Sequence, residues 1–432
     1  MNKTVTLAVA VLLVVSGCQA TKYIAFERED TETTSDHSGH DSTSDGSDSA
    51  IPGTETEFNT DTGTNSANST DTVDSGGTDS STATLDSDSL NDDTLSDTDT
   101  ASGSDDDTST GSDSASDSDS AVIDGIPVSF SWKSIPVQIS PAEGYVSIKD
   151  PTAVFYDDYW HVYATTRYEN GDWGMTYLKF KDWADAGTAV QTPVNENPNI
   201  TGYKVSPQLF YFSRDNRWYL IYQTQNPAYS WSTDPTDVSS WSPTKQFMPM
   251  PDIIENSTTK GIDYWVICDD AECFLFFTAL NGVLYRARTP KATFPDGFAG
   301  TTEIVLTGDK YDIVQGCSVY AVPVGDHTEY LLLVMAITDD GNRYFRALTA
   351  ASLDGEWTVH AGTEAHPFIS FLNVTGEDWT LDGFYQGEIL RANQDETMTI
   401  DISDLRFLYQ GLVSKGEDAS KDVFSLGLLE AN

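Results

Sequence analysis

Asp150 and Asp263 each open an apolar run in a copy of one repeated pattern, and carboxylates held on separate elements are tools for hydrolysis. Breaking a glycosidic bond needs one carboxylate to activate water and an acid to protonate the leaving oxygen. Acids at strand starts also suit solvated turns, and that reading stands beside the first. Other chemistries lack support in the residues. There is no Cys/His spacing of a zinc site, no Gly-rich phosphate loop after a strand and no Ser-nucleophile elbow. No basic patch suggests nucleic acid.

The elements that must position these carboxylates recur five times. Each copy has a polar opening, an apolar run, a short turn and a second run rich in aromatic and β-branched residues. The copies begin DPTAVFYDDYWHVYAT at Asp150, SPQLFYFSRDNRWYLIYQ at Ser206, DYWVICDDAECFLFFTA at Asp263, CSVYAVPVGDHTEYLLLVM at Cys317 and GEILRANQDETMTIDI at Gly387. Their starts advance by 56, 57, 54 and 70 residues, a period that fits paired strands arranged radially about a channel. The expected fold is all-β, a five-bladed β-propeller over 128–432. The innermost strand of each blade lines the channel, so the polar openings should gather at one mouth. Trp132, Trp160, Trp173, Trp218, Trp231, Trp241 and Trp265 could stack on sugar rings, but blade cores need the same residues.

The N-terminus reads as an export segment. MNKTVTLAVAVLLVVSGC has a basic start, an apolar run too short to span a bilayer and small residues before Cys18. Its end, Val14 to Cys18, resembles a bacterial lipobox, which implies a signal over 1–18 and a lipid on Cys18 that tethers the protein to a membrane. Gln19 after the cysteine favours, by the same resemblance, the cell surface or outer membrane. Between Glu29 and Trp132 there is no Lys or Arg and 26 of the 68 acidic residues, which accounts for more than half of the net charge of −45. The 19–127 stretch is therefore read as a disordered, solvated linker, and the charge says little about the ligand. Cys268 and Cys273 flank an expected hairpin turn, where they could face each other and oxidise outside the cytoplasm.

From Phe130 onward the chain resembles the α-L-arabinofuranosidases of glycoside hydrolase family 62. The strings that carry the resemblance are VSIKDPTAVFYDDYWHVYATT, SPQLFYFSRDNRWYLIYQ, KGIDYWVICDD, FFTALNGVLYRAR, NRYFRALTAASLDGEWT and DETMTIDISDLRFLYQG. The resemblance implies a five-bladed propeller that removes arabinofuranose branches from arabinoxylan with inversion. It implies a general base at Asp150, a sugar pocket lined by Lys149 and Arg343, and an orienting, pKa-tuning role for Asp263. At the family's general-acid position stands Gln315, which has no proton of the needed acidity. Met335 replaces a family Glu, Gln386 a family His and Thr224 a family Trp. The family's His often helps to hold calcium; Gln386 could offer calcium a carbonyl oxygen, and no cofactor is expected to be required. Asp312 is the nearest substitute acid in sequence, although its loop position suits a solvated residue. Two functions follow: a monomeric arabinofuranosidase impaired by Gln315, or a non-catalytic surface lipoprotein that binds arabinoxylan.

Overall fold

The computed structural model describes residues 125–255, 260–376, 379–418 and 421–432, with two-residue strands at Leu13–Val14, Thr21–Lys22 and Val122–Ile123. Cys18 and nearly all of the acidic stretch lie outside the described residues. From Trp132 onward the chain forms five sheets of four or five strands, the blades of a propeller, antiparallel throughout except where Val374–Gly376 pairs parallel with Trp132–Ile139. The inner strands of the first four blades are Tyr145–Tyr156, Val205–Phe212, Ile262–Cys268 and Gln315–Val324. Each pairs with the second run of its own copy, at Tyr159–Tyr168, Arg217–Gln223, Glu272–Thr278 and His327–Ile337. Blades packed face to face bury both sides of their strands, so these runs read as nearly continuous apolar sequence rather than strict alternation. Trp132, Trp160, Trp218, Trp241 and Trp265 are all buried in this packing. Cys268 and Cys273 pair across their hairpin as a disulfide, and Cys317 is a buried free thiol.

The fifth blade closes the ring with both ends of the domain. Its strand order is Gly387–Ile389, Arg406–Ser414, Val423–Ala431, Trp132–Ile139 and Val374–Gly376. Trp132 anchors the closure: it is fully buried, and its indole N–H donates to the Phe368 carbonyl at 2.7 Å. Here the repeat reading needs correcting. The strand at Gly387 pairs with Arg406–Ser414, not with the TMTIDI run of its own copy. The intervening segment instead crosses the distal end of the channel. It takes up backbone groups at the far ends of three inner strands, through Tyr211 N–H to Gln394, Cys268 N–H to Glu396 and Ala321 N–H to Met398. Strand edges that would otherwise be buried without partners are thereby satisfied. The fourth inner strand also starts at Gln315, two residues before the expected Cys317.

Polar links join every neighbouring pair of blades around the channel. Thr152 Oγ1 accepts from Leu209 N at 3.2 Å, and the Gln208 amide brackets Val266, accepting from its N–H at 2.8 Å and donating to its carbonyl at 2.7 Å. Trp265 donates to the Val319 carbonyl at 2.8 Å, and Ile389 N donates to the Tyr320 hydroxyl at 2.9 Å. Thr152 closes the circle by donating to Glu388 Oε2 at 2.7 Å. Glu388 is wholly buried; burial pushes its carboxyl up, and Arg391 at 2.8 Å pulls it back down. Arg391 in turn donates to the carbonyls of Ala153 and Leu209, so one guanidinium ties three blades together. Removing one member of such a pair strands a buried charge. Arg391→Met should therefore cost about 3–5 kcal/mol in urea unfolding. Adding Glu388→Gln to it should recover much of the loss, and a single variant within about 1 kcal/mol of the parent would show that the pair does not hold the ring.

Candidate active site

The site is built on one backbone irregularity repeated around the ring. In the first four blades the pairing of the inner strand slips at its mouth end, between Lys149 and Thr152, Val205 and Gln208, Ile262 and Trp265, and Gln315 and Ser318. At each slip one residue has left-handed backbone: Asp150 at φ 46°, Ser206 at 52°, Asp263 at 56° and Gly316 at 70°. Glycine tolerates this conformation freely and aspartate better than most residues, whereas bulky side chains do not. Such a bulge re-aims its side chain and takes its N–H out of the ladder.

The freed N–H groups find acceptors on the preceding blade. Gln410 Oε1 accepts from Asp150 N at 2.6 Å, Thr165 Oγ1 from Ser206 N at 2.7 Å and Gln223 Oε1 from Asp263 N at 3.3 Å. Thr165 and Gln223 occupy matching positions, each opposite the first residue of its blade's slip. Thr278 stands at the same position in the third blade. Its hydroxyl has no partner, because Gly316 N donates instead to Asp263 Oδ2 at 3.0 Å.

Asp263 is 6% exposed and surrounded by donors. Ser206 Oγ donates to Oδ1 at 3.0 Å, and Gln386, with its amide nitrogen turned toward the carboxylate, reaches Oδ1 at 3.0 Å and Oδ2 at 3.3 Å. Burial first, then the Asp150 charge, raise its pKa to about 7 against the downward pull of Gly316, Ser206 and Lys149. The turned Gln386 amide adds to that downward pull. Asp150 is 8% exposed, and its carboxylate accepts no hydrogen bond from the described residues.

Asp150, Asp263, Lys149 and Gln386 therefore meet at one mouth, and Gln315 joins them as the neighbour of Gly316. Lys149 Nζ lies 4.6 Å over the Phe424 ring and 5.6 Å from that of Trp173. Phe424 meets Tyr385 edge-on at 5.1 Å, and Arg343 stacks on Tyr385 at 4.7 Å. Gly383 permits this last contact: a Cβ there would collide with the Arg343 backbone. Thr224 is not brought to Asp263. Its hydroxyl donates to the Asn226 carbonyl at 2.7 Å within a turn, and it is the adjacent Gln223 that reaches the site. Asp312 is engaged by Arg346, which donates to its carbonyl at 2.9 Å and stands 3.9 Å from its carboxylate. Met335 is buried opposite Gln315. Ser206 reaches the mouth as one of the expected polar openings, whereas Gln223 and Gln410 escaped the sequence reading as site residues. The available signal was a polar residue ending an apolar run, as in YLIYQ and FLYQG.

A carboxyl at about 7 in the folded chain, against an ordinary 3.8, keeps its proton more tightly when native. Its contribution to stability is then full below about pH 4 and is lost as pH rises through about 7. Asp263→Asn should remove this slope, so melting curves of variant and parent should diverge in the variant's favour from about pH 4 to about 7, by on the order of a few kcal/mol. Parallel curves would place Asp263 at an ordinary value. Gln410→Leu should lower stability by about 1–3 kcal/mol, because it orphans the buried Asp150 N–H.

Comparison with known proteins places this mouth in a chemical family. Residues 131–428 match Glycosyl hydrolase family 62. Alpha-L-arabinofuranosidase C of Cellvibrio japonicus is 39% identical over 307 residues, covering 69% of this chain and 46% of that protein. The chain thus spans about half the length of that curated relative. The α-L-arabinofuranosidase of Podospora anserina, solved with cellotriose, is 37% identical with a TM-score of 0.68 over 71% of this chain and 98% of its own. The catalytic domain of the Coprinopsis cinerea α-L-arabinofuranosidase is 38% identical with a TM-score of 0.68, again over 71% and 98%. With the matched region spanning nearly all of the propeller and both bulge carboxylates, the chain belongs to glycoside hydrolase family 62.

Proposed function

We propose that the mouth takes arabinofuranosyl side chains of arabinoxylan and hydrolyses them with inversion, slowly. The observation that carries this is the Asp150 carboxylate, buried beside Asp263 yet accepting no hydrogen bond from the described residues. Asp150 takes the proton of a water that attacks the anomeric carbon from the face opposite the leaving oxygen. Asp263, filled with donors, orients the sugar and fixes the field at Asp150. Lys149 and Arg343 line the pocket from the aromatic rim formed by Trp173, Phe424 and Tyr385. Gln315 can donate a hydrogen bond to the leaving oxygen but cannot transfer a proton, and losing an acid costs roughly 10²- to 10⁴-fold.

Calcium enters no step of this scheme. The oxygens of Asp263 already accept from Ser206, Gly316 and Gln386, and no group of three or more His, Cys, Asp or Glu gathers among the described residues, so the donors fit calcium poorly. We also assign the chain to the outside of the cell as a monomer held by lipid on Cys18, with 19–127 as a spacer. The lipobox resemblance and the composition support that assignment.

Gln315 favours a second reading, in which the pocket only binds arabinoxylan. Gln315→Glu separates the two. If the pocket is catalytic, the variant should release arabinose from arabinoxylan about 10²- to 10⁴-fold faster than the parent, followed by chromatography of the free sugar. Arabinoxylan binding by calorimetry that Asp150→Ala weakens, with no release even from Gln315→Glu, would establish the binding protein. Ready release by the parent would mean that another donor replaces the acid.

A further inference from the structure

The mouth carries a base without an acid, and that asymmetry selects a class of leaving group. Each acidic or amide side chain placed there has a settled role. Asp263 is nearly closed to solvent, and both of its oxygens already accept hydrogen bonds, from the Ser206 hydroxyl, the Gly316 N–H and the Gln386 amide. Burial and the Asp150 charge raise its carboxyl to about 7, but both oxygens are turned into these donors, so a proton on Asp263 faces them and not a leaving oxygen. Asp312 faces the Arg346 guanidinium. Gln315 and Gln386 are amides, and Lys149 adds a cation close enough to pull Asp263 down. Of the two bulge carboxylates, Asp150 is the one that accepts no hydrogen bond from the described residues, and it serves the attacking water.

We infer that the substrates this site turns over fastest are arabinofuranosides whose aglycone leaves as a stable anion, phenolic arabinofuranosides in particular. The inference rests on the arabinofuranoside reading of the pocket and names its substrate class. Water oxygen forms the new bond to the anomeric carbon while Asp150 takes one water proton. The bond from that carbon to the phenolic oxygen breaks, and its electron pair departs with the phenolate. Asp150 then returns its proton to solvent and the phenolate takes one from solvent, so charge and atoms balance with no acid at position 315. A sugar hydroxyl is a far weaker acid than a phenol, whose pKa lies near about 10. That difference in acidity is why the arabinoxylan leaving group needs a proton and a phenol does not.

The test is kcat/KM for the full-length protein and its Gln315→Glu variant on aryl α-L-arabinofuranosides of graded phenol pKa, with methyl α-L-arabinofuranoside and arabinoxylan alongside. For the parent the rate should fall steeply, approaching tenfold per unit of phenol pKa, with the methyl glycoside and arabinoxylan at least about 10³-fold below the best phenol. In Gln315→Glu the slope should flatten, with the gain concentrated in the poorest leaving groups. A shallow slope in the parent, or a methyl glycoside cleaved as readily as an aryl one, overturns the inference without needing the variant. So does a parent inert on every aryl substrate while Gln315→Glu cleaves arabinoxylan, an outcome that leaves the sugar assignment intact. Both proteins inert on every arabinofuranoside would instead sink the sugar assignment and the inference with it.

Discussion

The left-handed residue at the mouth end of the inner strands is the constraint on which the rest of the site depends. A residue there costs about 1–3 kcal/mol unless it is glycine, and it persists only where its surroundings over-determine it. The surroundings are the adjacent blades. Gln410 holds the Asp150 N–H across a separation of 260 residues, and Gln223 and Thr165 do the same for Asp263 and Ser206. Each carboxylate is thus aimed by its own strand and fixed by the preceding one, which couples the site directly to closure of the ring. Aspartate suits the position because its short polar side chain tolerates the backbone.

The ring is closed at a second level. Below the mouth, Thr152, Gln208, Trp265, Tyr320 and Glu388 link successive blades, and the segment after Ile389 seals the distal end by capping three inner strands. Polar groups buried along the channel are tolerable because most of them are paired. One exception at the mouth is informative. The Thr278 hydroxyl lacks a partner because the N–H it would otherwise take serves Asp263. The fourth blade has given up a tether of the kind seen elsewhere so that its backbone can hold a site carboxylate.

Against this rigid frame the amides are the unusual feature. Gln386 engages Asp263 through a neutral donor, and Gln315 opens its strand with a side chain that can neither gain nor lose a proton near neutrality. The frame that positions the two carboxylates is intact, while the side chains at 315 and 386 are neutral amides. Frame and chemistry are separable here because the bulges are held by backbone N–H groups and the side chains of Gln410, Gln223 and Thr165, not by the side chains at 315 and 386.

The repeated runs determined the fold from sequence alone, because buried blade strands leave long apolar stretches at a regular period, and the period places Asp150 and Asp263 at one mouth. Tertiary structure decided which polar neighbours matter. Gln223 rather than Thr224 reaches Asp263, since the strand ends at Gln223 and Thr224 turns its hydroxyl back to the Asn226 carbonyl. The fifth copy misled because its second run has strand-like composition but no free partner, the hairpin place being taken by Arg406–Ser414. The donors around Asp263 come from Ser206, Gly316 and Gln386 on three different blades, and such convergence leaves no local mark in a sequence. It arises only when the ring closes.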